Sequence, residues 1–255
     1  MAPRDGNDDP SGLLYGFHTV LEALRSQARS IQRLWLVKPD GRFFPLTRLA
    51  KERGIPFSIE PRERLDQLAS DRHHQGVVAK ITPKAYLEGE ELLDALSESP
   101  TPALLVVLDQ IQDPHNLGAV IRSVDASGAH GIIIPKHRAV GVTGGVAKTS
   151  AGSLEHVQIA RVANTGKFLE LCQKQGIVTV ALDPEGQVPV WETDMTGPVA
   201  LVFGSEGEGI RPMVQRKCDH RVYIPMQGQI NSLNVSVSVA VTLFEAVRQR
   251  LAKKG

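Results

Sequence analysis

Cysteine is nearly absent from this 255-residue chain: Cys172 and Cys218 are the only two, and neither sits in a metal-ligand spacing. No disulfide framework is implied, so a reducing compartment, the cytoplasm, is expected. No apolar run approaches the roughly 18–20 residues that span a bilayer, so no membrane partner is expected. The first dozen residues lack the apolar stretch of a secretion signal and are too acidic for a transit peptide. Residues 1–12 are expected to be a disordered tail. Three familiar nucleotide and catalytic patterns are also missing. The glycines around Gly204 do not form G-x-G-x-x-G, and Phe203 stands where a G-x-S-x-G elbow needs its first glycine. Gly145-Val-Ala-Lys148-Thr149 resembles the end of a phosphate loop but lacks the glycine before the lysine. His73-His74 has no partner ligands in the sequence, and no metal is expected.

What is present is a core. Hydrophobic residues make up 42% of the chain and charged residues 22%, enough for one large or two modest domains. The formal charge of +1 says nothing for or against a polyanionic partner, but its distribution is uneven. Residues 12–80 carry 12 lysines and arginines against 7 acidic residues, whereas residues 81–255 carry 16 against 18. A basic front half is compatible with nucleic acid and equally with a solvated surface.

Residues 13–81 read as a compact α/β unit. Helices are expected over 16–25, 45–53 and 63–69, with Gly54 as a C-cap, and strands over 31–37, 55–59 and 76–81. Residues 82–102, with Pro83, Gly89 and a Ser-Pro-Thr-Pro stretch, read as a linker holding one short helix over 90–96. Leu104 to Leu108 is a continuous apolar run of the kind found in buried parallel strands. Strands over 131–134, 177–182, 199–203 and 221–225 then alternate with helices over 165–175, 207–217 and 232–252. That alternation implies a parallel sheet covered on both faces.

Three segments of the second half carry chemistry. In Asp109-Gln-Ile-Gln-Asp-Pro-His-Asn116-Leu-Gly-Ala-Val-Ile-Arg122, Asp113-Pro114 starts a helix whose core face is Leu117, Val120, Ile121 and Val124. Asn116 and Arg122 lie off that face, and Arg122 is expected to lean back toward the helix start, at the mouth of the sheet. A helix cap and a surface ion pair would explain the same two residues. In Leu201-Val-Phe-Gly204-Ser-Glu206-Gly-Glu-Gly209, a buried strand runs into glycines, and Gly204 is expected to let backbone approach a ligand closely. A tight strand–helix turn is the alternative. In Tyr223-Ile224-Pro-Met226-Gln-Gly-Gln-Ile-Asn-Ser232-Leu233-Asn234, polar residues open a long C-terminal helix whose apolar stripe continues through Val237, Val241, Phe244 and Leu251. Such residues cap helices, and they also suit a ligand carboxylate or ribose.

In this order the three segments resemble the motifs of the SpoU branch of the SPOUT methyltransferases. Residues 116–122, 202–210 and 224–236 look like its first, second and third motifs. The front half is similar to the family's substrate-binding domain, itself similar to small kink-turn-binding ribosomal proteins, through Gly16-Phe-His-Thr-Val-Leu-Glu-Ala-Leu and His73-His-Gln-Gly76. Asn231, where relatives often carry a small polar residue, is the one departure.

The resemblance implies an RNA-binding domain over 13–81, a linker over 82–102 and a knotted, parallel-sheet methyltransferase domain over 103–255. It implies S-adenosylmethionine as cofactor, held by backbone at Gly204, Ile224, Met226 and Leu233, and a homodimer. Asn116, Arg122, Glu206, Ser232 and Asn234 match the residues around the family's reaction centre. Ser232, Asn234 and Glu206 would position the ribose while Arg122 clamps phosphate and developing oxyanion. The pattern looks most like bacterial enzymes that methylate a guanosine 2′-oxygen in 23S rRNA. The same chemistry on tRNA, or a non-catalytic RNA-binding protein on the same fold, are the alternatives. A nicotinamide-dependent oxidoreductase is disfavoured by the missing fingerprint.

Overall fold

The computed structural model describes residues 12–69 and 72–253, so apart from Gly12 the expected tail lies outside the described residues. The chain divides into two compact units: residues 1–85 with 141–156, and residues 86–140 with 157–255.

The first unit runs β1 (Leu13–Tyr15), α1 (Phe17–Ser26), β2 (Ile31–Leu36), α2 (Phe44–Glu52), β3 (Phe57–Ile59), α3 (Arg62–Ala69) and β4 (Val77–Ile81). Its strands form a four-stranded sheet in the order β1-β4-β2-β3, with β4 antiparallel to both neighbours and β2 parallel to β3. Every helix and strand expected here forms, because each carries its own period: Val20, Leu21 and Leu24 are buried on α1, and Leu34 and Leu36 on β2.

The second unit begins with β5 (Leu87–Glu88), α4 (Gly89–Ser97), β6 (Leu104–Asp109), α5 (Pro114–Ser127) and β7 (Gly131–Pro135). The short helix α6 (Gly144–Thr149) follows, in the segment that belongs to the first unit. The chain then resumes with β8 (Gln158–Val162), α7 (Thr165–Lys174), β9 (Val178–Leu182), β10 (Val188–Pro189), β11 (Val199–Gly204), α8 (Pro212–Gln215), β12 (His220–Tyr223) and α9 (Val235–Ala252). All eight strands are parallel, in the order β10-β12-β9-β11-β6-β7-β8-β5. Side chains alternate across such a sheet. Leu105, Val107, Ala200 and Val202 pack with Leu92 and Leu93 of α4, Phe168, Leu169 and Cys172 of α7 and Val214 of α8. Helices α5 and α9 pack against each other, with α5 on β7 and α9 on β11, covering the other face.

The structure departs from the sequence reading in several places. The stretch 82–102 is no linker: Leu87 pairs with Ala160 at the sheet edge, and Leu92 and Leu93 are buried. A two-residue strand and a nine-residue helix bury too little by themselves to be read as core; β8 and α7 supply the partners. Strand β8, unassigned from sequence, completes that edge. The segment 141–156, expected within the catalytic domain, packs with the first unit, where α6 lies against β1. The helix expected over 207–217 shrinks to α8, because Gly209 takes a left-handed φ of +68° and Pro212 can only begin a helix. Finally, α9 begins at Val235 and buries Val235, Val239, Leu243 and Ala246. The stripe of Val237, Phe244 and Leu251 faces outward instead. That helix is apolar on two faces, and periodicity alone could not tell which one meets the sheet.

Candidate functional site

In open parallel sheets, ligands bind beyond the carboxyl ends of the strands, where the chain reverses its direction of travel across the sheet. Here the chain steps from β6 through β7 to β8, then crosses to β9 on the far side of β11. Beyond the ends of β9, β11 and β12 lies a cavity of about 420 Å³. Leu182, Asp183 and Glu185 line it after β9, Gly204 to Gly209 after β11, Ile224 and Met226 after β12, and Ser232 and Leu233 before α9. All four positions expected to hold cofactor therefore open onto one space. Beyond β6, a second cleft of about 340 Å³ is lined by Gln110, Gln112, Asp113 and Asn116. Ser205 to Glu208 and Val235 line both spaces, so the 205–208 loop is a partition between them.

On that partition three expected residues meet. Asn116 Nδ2 donates to Glu206 Oε1 at 3.0 Å. Asn234 Nδ2 donates to Asn116 Oδ1 at 3.0 Å and also to Glu206 Oε1. The Asn234 side-chain Oδ1 meanwhile caps α9 by accepting from Ser236 N at 2.9 Å. Asp113 caps α5 in the same way, accepting from His115 N at 2.8 Å, which leaves Asn116 free for the site. The two carboxamides hold one oxygen of Glu206. The other, Oε2, has no hydrogen bond among the described residues. A fixed carboxylate oxygen of this kind can accept from a hydroxyl and orient it.

Ser232 lies on the cavity wall, exposed, and does not join this network among the described residues. Arg122 is not brought to the site. It is exposed on α5, lines neither space and makes no hydrogen bond or ion pair among the described residues. It lies six helical positions beyond Asn116, about 240° around the axis and about 9 Å along it, so the two side chains diverge. The backward lean of a helical side chain does not close that gap.

Gly204 lines the cavity and is also approached closely by its own loop: a Cβ there would lie 1.9 Å from the carbonyl carbon of Gly209. Ser205 and Gly209 exchange both backbone hydrogen bonds, at 3.0 and 3.1 Å, and close the 205–209 loop onto the end of β11.

Two features escaped the sequence reading. Asp109, fully buried at the end of β6, accepts from Arg211 Nη2 at 2.6 Å, from Nε at 3.0 Å and from Arg211 N at 3.0 Å. This pair anchors the far end of the partition loop, and the bond to Asp109 raises the Arg211 guanidinium further above its usual range. Asp183 is held by Arg221 and Gln215 at the mouth of the cavity. An Asp-Pro-Glu-Gly stretch just after a buried parallel strand was the signal available for it. Burial pushes the thiols of Cys172 and Cys218 up to about 12, so both stay protonated and unreactive at neutral pH. His74 is a buried turn residue, bonded to Asp66 at 2.9 Å, while its neighbour His73 is exposed.

Comparison with known proteins gives the family. Residues 103–244 match the SpoU rRNA Methylase family, and residues 13–87 match the RNA 2′-O ribose methyltransferase substrate-binding family. The chain is 43% identical to the 23S rRNA (guanosine-2′-O-)-methyltransferase of Ralstonia nicotianae, over 94% of this chain and 96% of that protein. It is 40% identical to a putative TrmH family tRNA/rRNA methyltransferase of Bacillus subtilis, over 92% and 94% of the two chains. Among solved structures it resembles the SpoU methyltransferase AviRb from Streptomyces viridochromogenes in complex with AdoMet. That match has a TM-score of 0.79 and 27% identity, covering 94% of this chain and 90% of that one. The 420 Å³ cavity suits such a molecule: Phe203, Ile224, Met226 and Leu233 offer apolar surface for an adenine, and Asp183, Glu185, Glu206 and Glu208 offer negative charge to a sulfonium and an ammonium.

Proposed function

Because the chain belongs to the SpoU rRNA methylase family, we propose that it transfers a methyl group from S-adenosylmethionine to the ribose 2′-oxygen of a guanosine in 23S rRNA. The observation that carries this reading is the Asn116–Glu206–Asn234 network on the partition between the cofactor cavity and the polar cleft. S-adenosylmethionine, when bound, supplies an already activated methyl group. The protein's part is alignment. Glu206, fixed by two carboxamides, orients the ribose hydroxyl. The 205–208 loop borders both the cofactor cavity and the polar cleft, so that the ribose hydroxyl and the methyl group meet at its edge, and Ser232 contacts the ribose from the cavity rim. The first unit recognises folded RNA by its shape and exposed loop bases.

The active form is a homodimer in the bacterial cytoplasm. Its support is the outward stripe of α9, where Val237, Phe244 and Leu251 are exposed, Phe244 at 47%. Helix α5 packs alongside α9, so Arg122 lies on the element next to that stripe. We assign Arg122 to the cleft of the second copy, where it clamps phosphate and the forming oxyanion. The catalytic unit carries the family's trefoil knot. Its support is the family match over residues 103–244.

The test is a map of 2′-O-methyl groups in total RNA from cells with and without the gene. One guanosine in 23S rRNA should lose its methyl group and regain it on complementation. Loss confined to tRNA would move the same chemistry to tRNA, and no loss anywhere would refute the enzymatic reading.

A further inference from the structure

On the first unit, three loops converge around one exposed arginine. The Arg42 guanidinium lies 4.8 Å from the centre of the Phe43 ring and 5.9 Å from that of Phe17, and its Nη2 donates to the carbonyl oxygen of Gln75. The Gln75 side chain accepts from Phe17 N at 2.9 Å, which ties the start of α1 to the same loop. The Phe17 ring meets the His18 ring edge-on at 5.3 Å.

The 73–76 loop that pins this arrangement is itself tightly built. Buried His74 bonds Asp66 through Nε2 and accepts from Gly76 N at its Nδ1, 3.0 Å away. Gln75 sits at φ +56°, a conformation non-glycine residues rarely adopt. Gly76 has no room for a Cβ, which would meet Phe43 and Val37 at 2.8 Å. All this internal bonding holds in place a surface rather than a core: Arg42, Gln75 and His18 are exposed, and Phe44 beside them is 60% exposed. Strain retained at a rigid, exposed loop points to function.

We propose that Arg42, with Gln75 and His18 at its edge, is a stacking seat for one unpaired base of the RNA substrate. The inference rests on the reading of the first unit as the RNA-recognition unit. An arginine whose guanidinium is already stacked on an aromatic ring and hydrogen-bonded to backbone is a flat, positively charged platform that loses little freedom on binding. Bases of single-stranded loops stack on such planes. The neighbouring Gln75 carboxamide and His18 ring offer polar groups to the base edge. A phosphate clamp would need charge alone, whereas this seat depends on the planar fork.

The experiment compares Arg42→Lys, Arg42→Ala and Arg48→Ala for binding to a 23S rRNA transcript across a salt series. Arg48 is an equally charged, exposed control on α2. Affinity for S-adenosylmethionine and the melting temperature report that the chain is intact. Arg42→Ala should bind RNA about tenfold to hundredfold more weakly. Arg42→Lys should lose nearly as much while keeping the wild-type salt slope, because it keeps the charge and loses the plane. Arg48→Ala should change affinity by no more than about twofold. The proposal falls if Arg42→Lys binds like wild type, or if Arg42→Ala is no weaker than Arg48→Ala; the RNA-recognition reading would survive either result. If wild type itself does not prefer the rRNA transcript to an unrelated RNA of equal length, both readings fall together.

Discussion

Replacing Arg211 with Met tests the anchor of the partition loop. Asp109 is 0% exposed, and Arg211 supplies four of its hydrogen bonds, three from the guanidinium and one from the backbone. Removing one partner of a buried ion pair costs roughly 3–5 kcal/mol, because the other charge is left without compensation. Two features reduce that here. The Arg211 side chain is 41% exposed, so solvent already screens part of the pair, and the backbone N–H still reaches Asp109 in the variant. A loss of about 2–3 kcal/mol is expected. At roughly 2–4 °C per kcal/mol for a chain of this size, the melting temperature should fall by about 4–12 °C. The loop whose far end is released lines the cofactor cavity, so affinity for S-adenosylmethionine should fall about tenfold, the equivalent of ~1.4 kcal/mol spent on ordering it. Asp109→Asn in the Arg211→Met background should recover at least about 1 kcal/mol, because it removes the stranded charge. Urea unfolding and calorimetric titration of the cofactor make both measurements. A stability loss under about 1 kcal/mol, or a double variant no more stable than the single one, would show that the pair does not anchor the loop.

Gly204→Ala should lose both stability and cofactor binding, since its Cβ would lie 1.9 Å from backbone that cannot move away, whereas Gly207→Ala, with nothing within 4 Å, should leave stability unchanged; thermal shift with and without cofactor makes the comparison. In single-turnover methylation, Arg122→Ala should lose roughly 10²–10³ in rate and Arg122→Lys less, as for removal of an electrostatic donor. Mixed dimers of Arg122→Ala and Asn116→Ala chains should regain activity if Arg122 serves the second copy, because one composite site is then intact; mixed dimers as inactive as either parent would place Arg122 in its own chain's site. Val237→Glu with Phe244→Glu should turn the protein into a folded monomer in sedimentation analysis, because two buried unpaired carboxylates in an apolar interface are not tolerated; an unchanged dimer would put the interface elsewhere.

The sequence by itself determined the elements of the first unit, the parallel character of the second and the identity of the loops that make the site. Each of these rests on local signals. Alternation and helical period place strands and helices, Asp113-Pro114 and Asn234 begin their helices, and Gly204 and Pro225 mark the ends of β11 and β12. The resemblance of three short motifs to those of a known family named Gly204, Ile224, Met226 and Leu233, and they line one cavity because parallel strands put all their carboxyl ends on the same edge of the sheet. What the sequence left open depended on contacts between distant segments. Leu87, Leu92 and Leu93 became core only when β8 and α7 lay beside them. Gly204 met Gly209 because the loop closes on itself. Asp109 found Arg211 across 102 positions of sequence. On α9, two apolar faces competed for the sheet. The tertiary structure decided for Val235, Val239, Leu243 and Ala246, because only one face of a helix can pack against it, and the other was left to the surface.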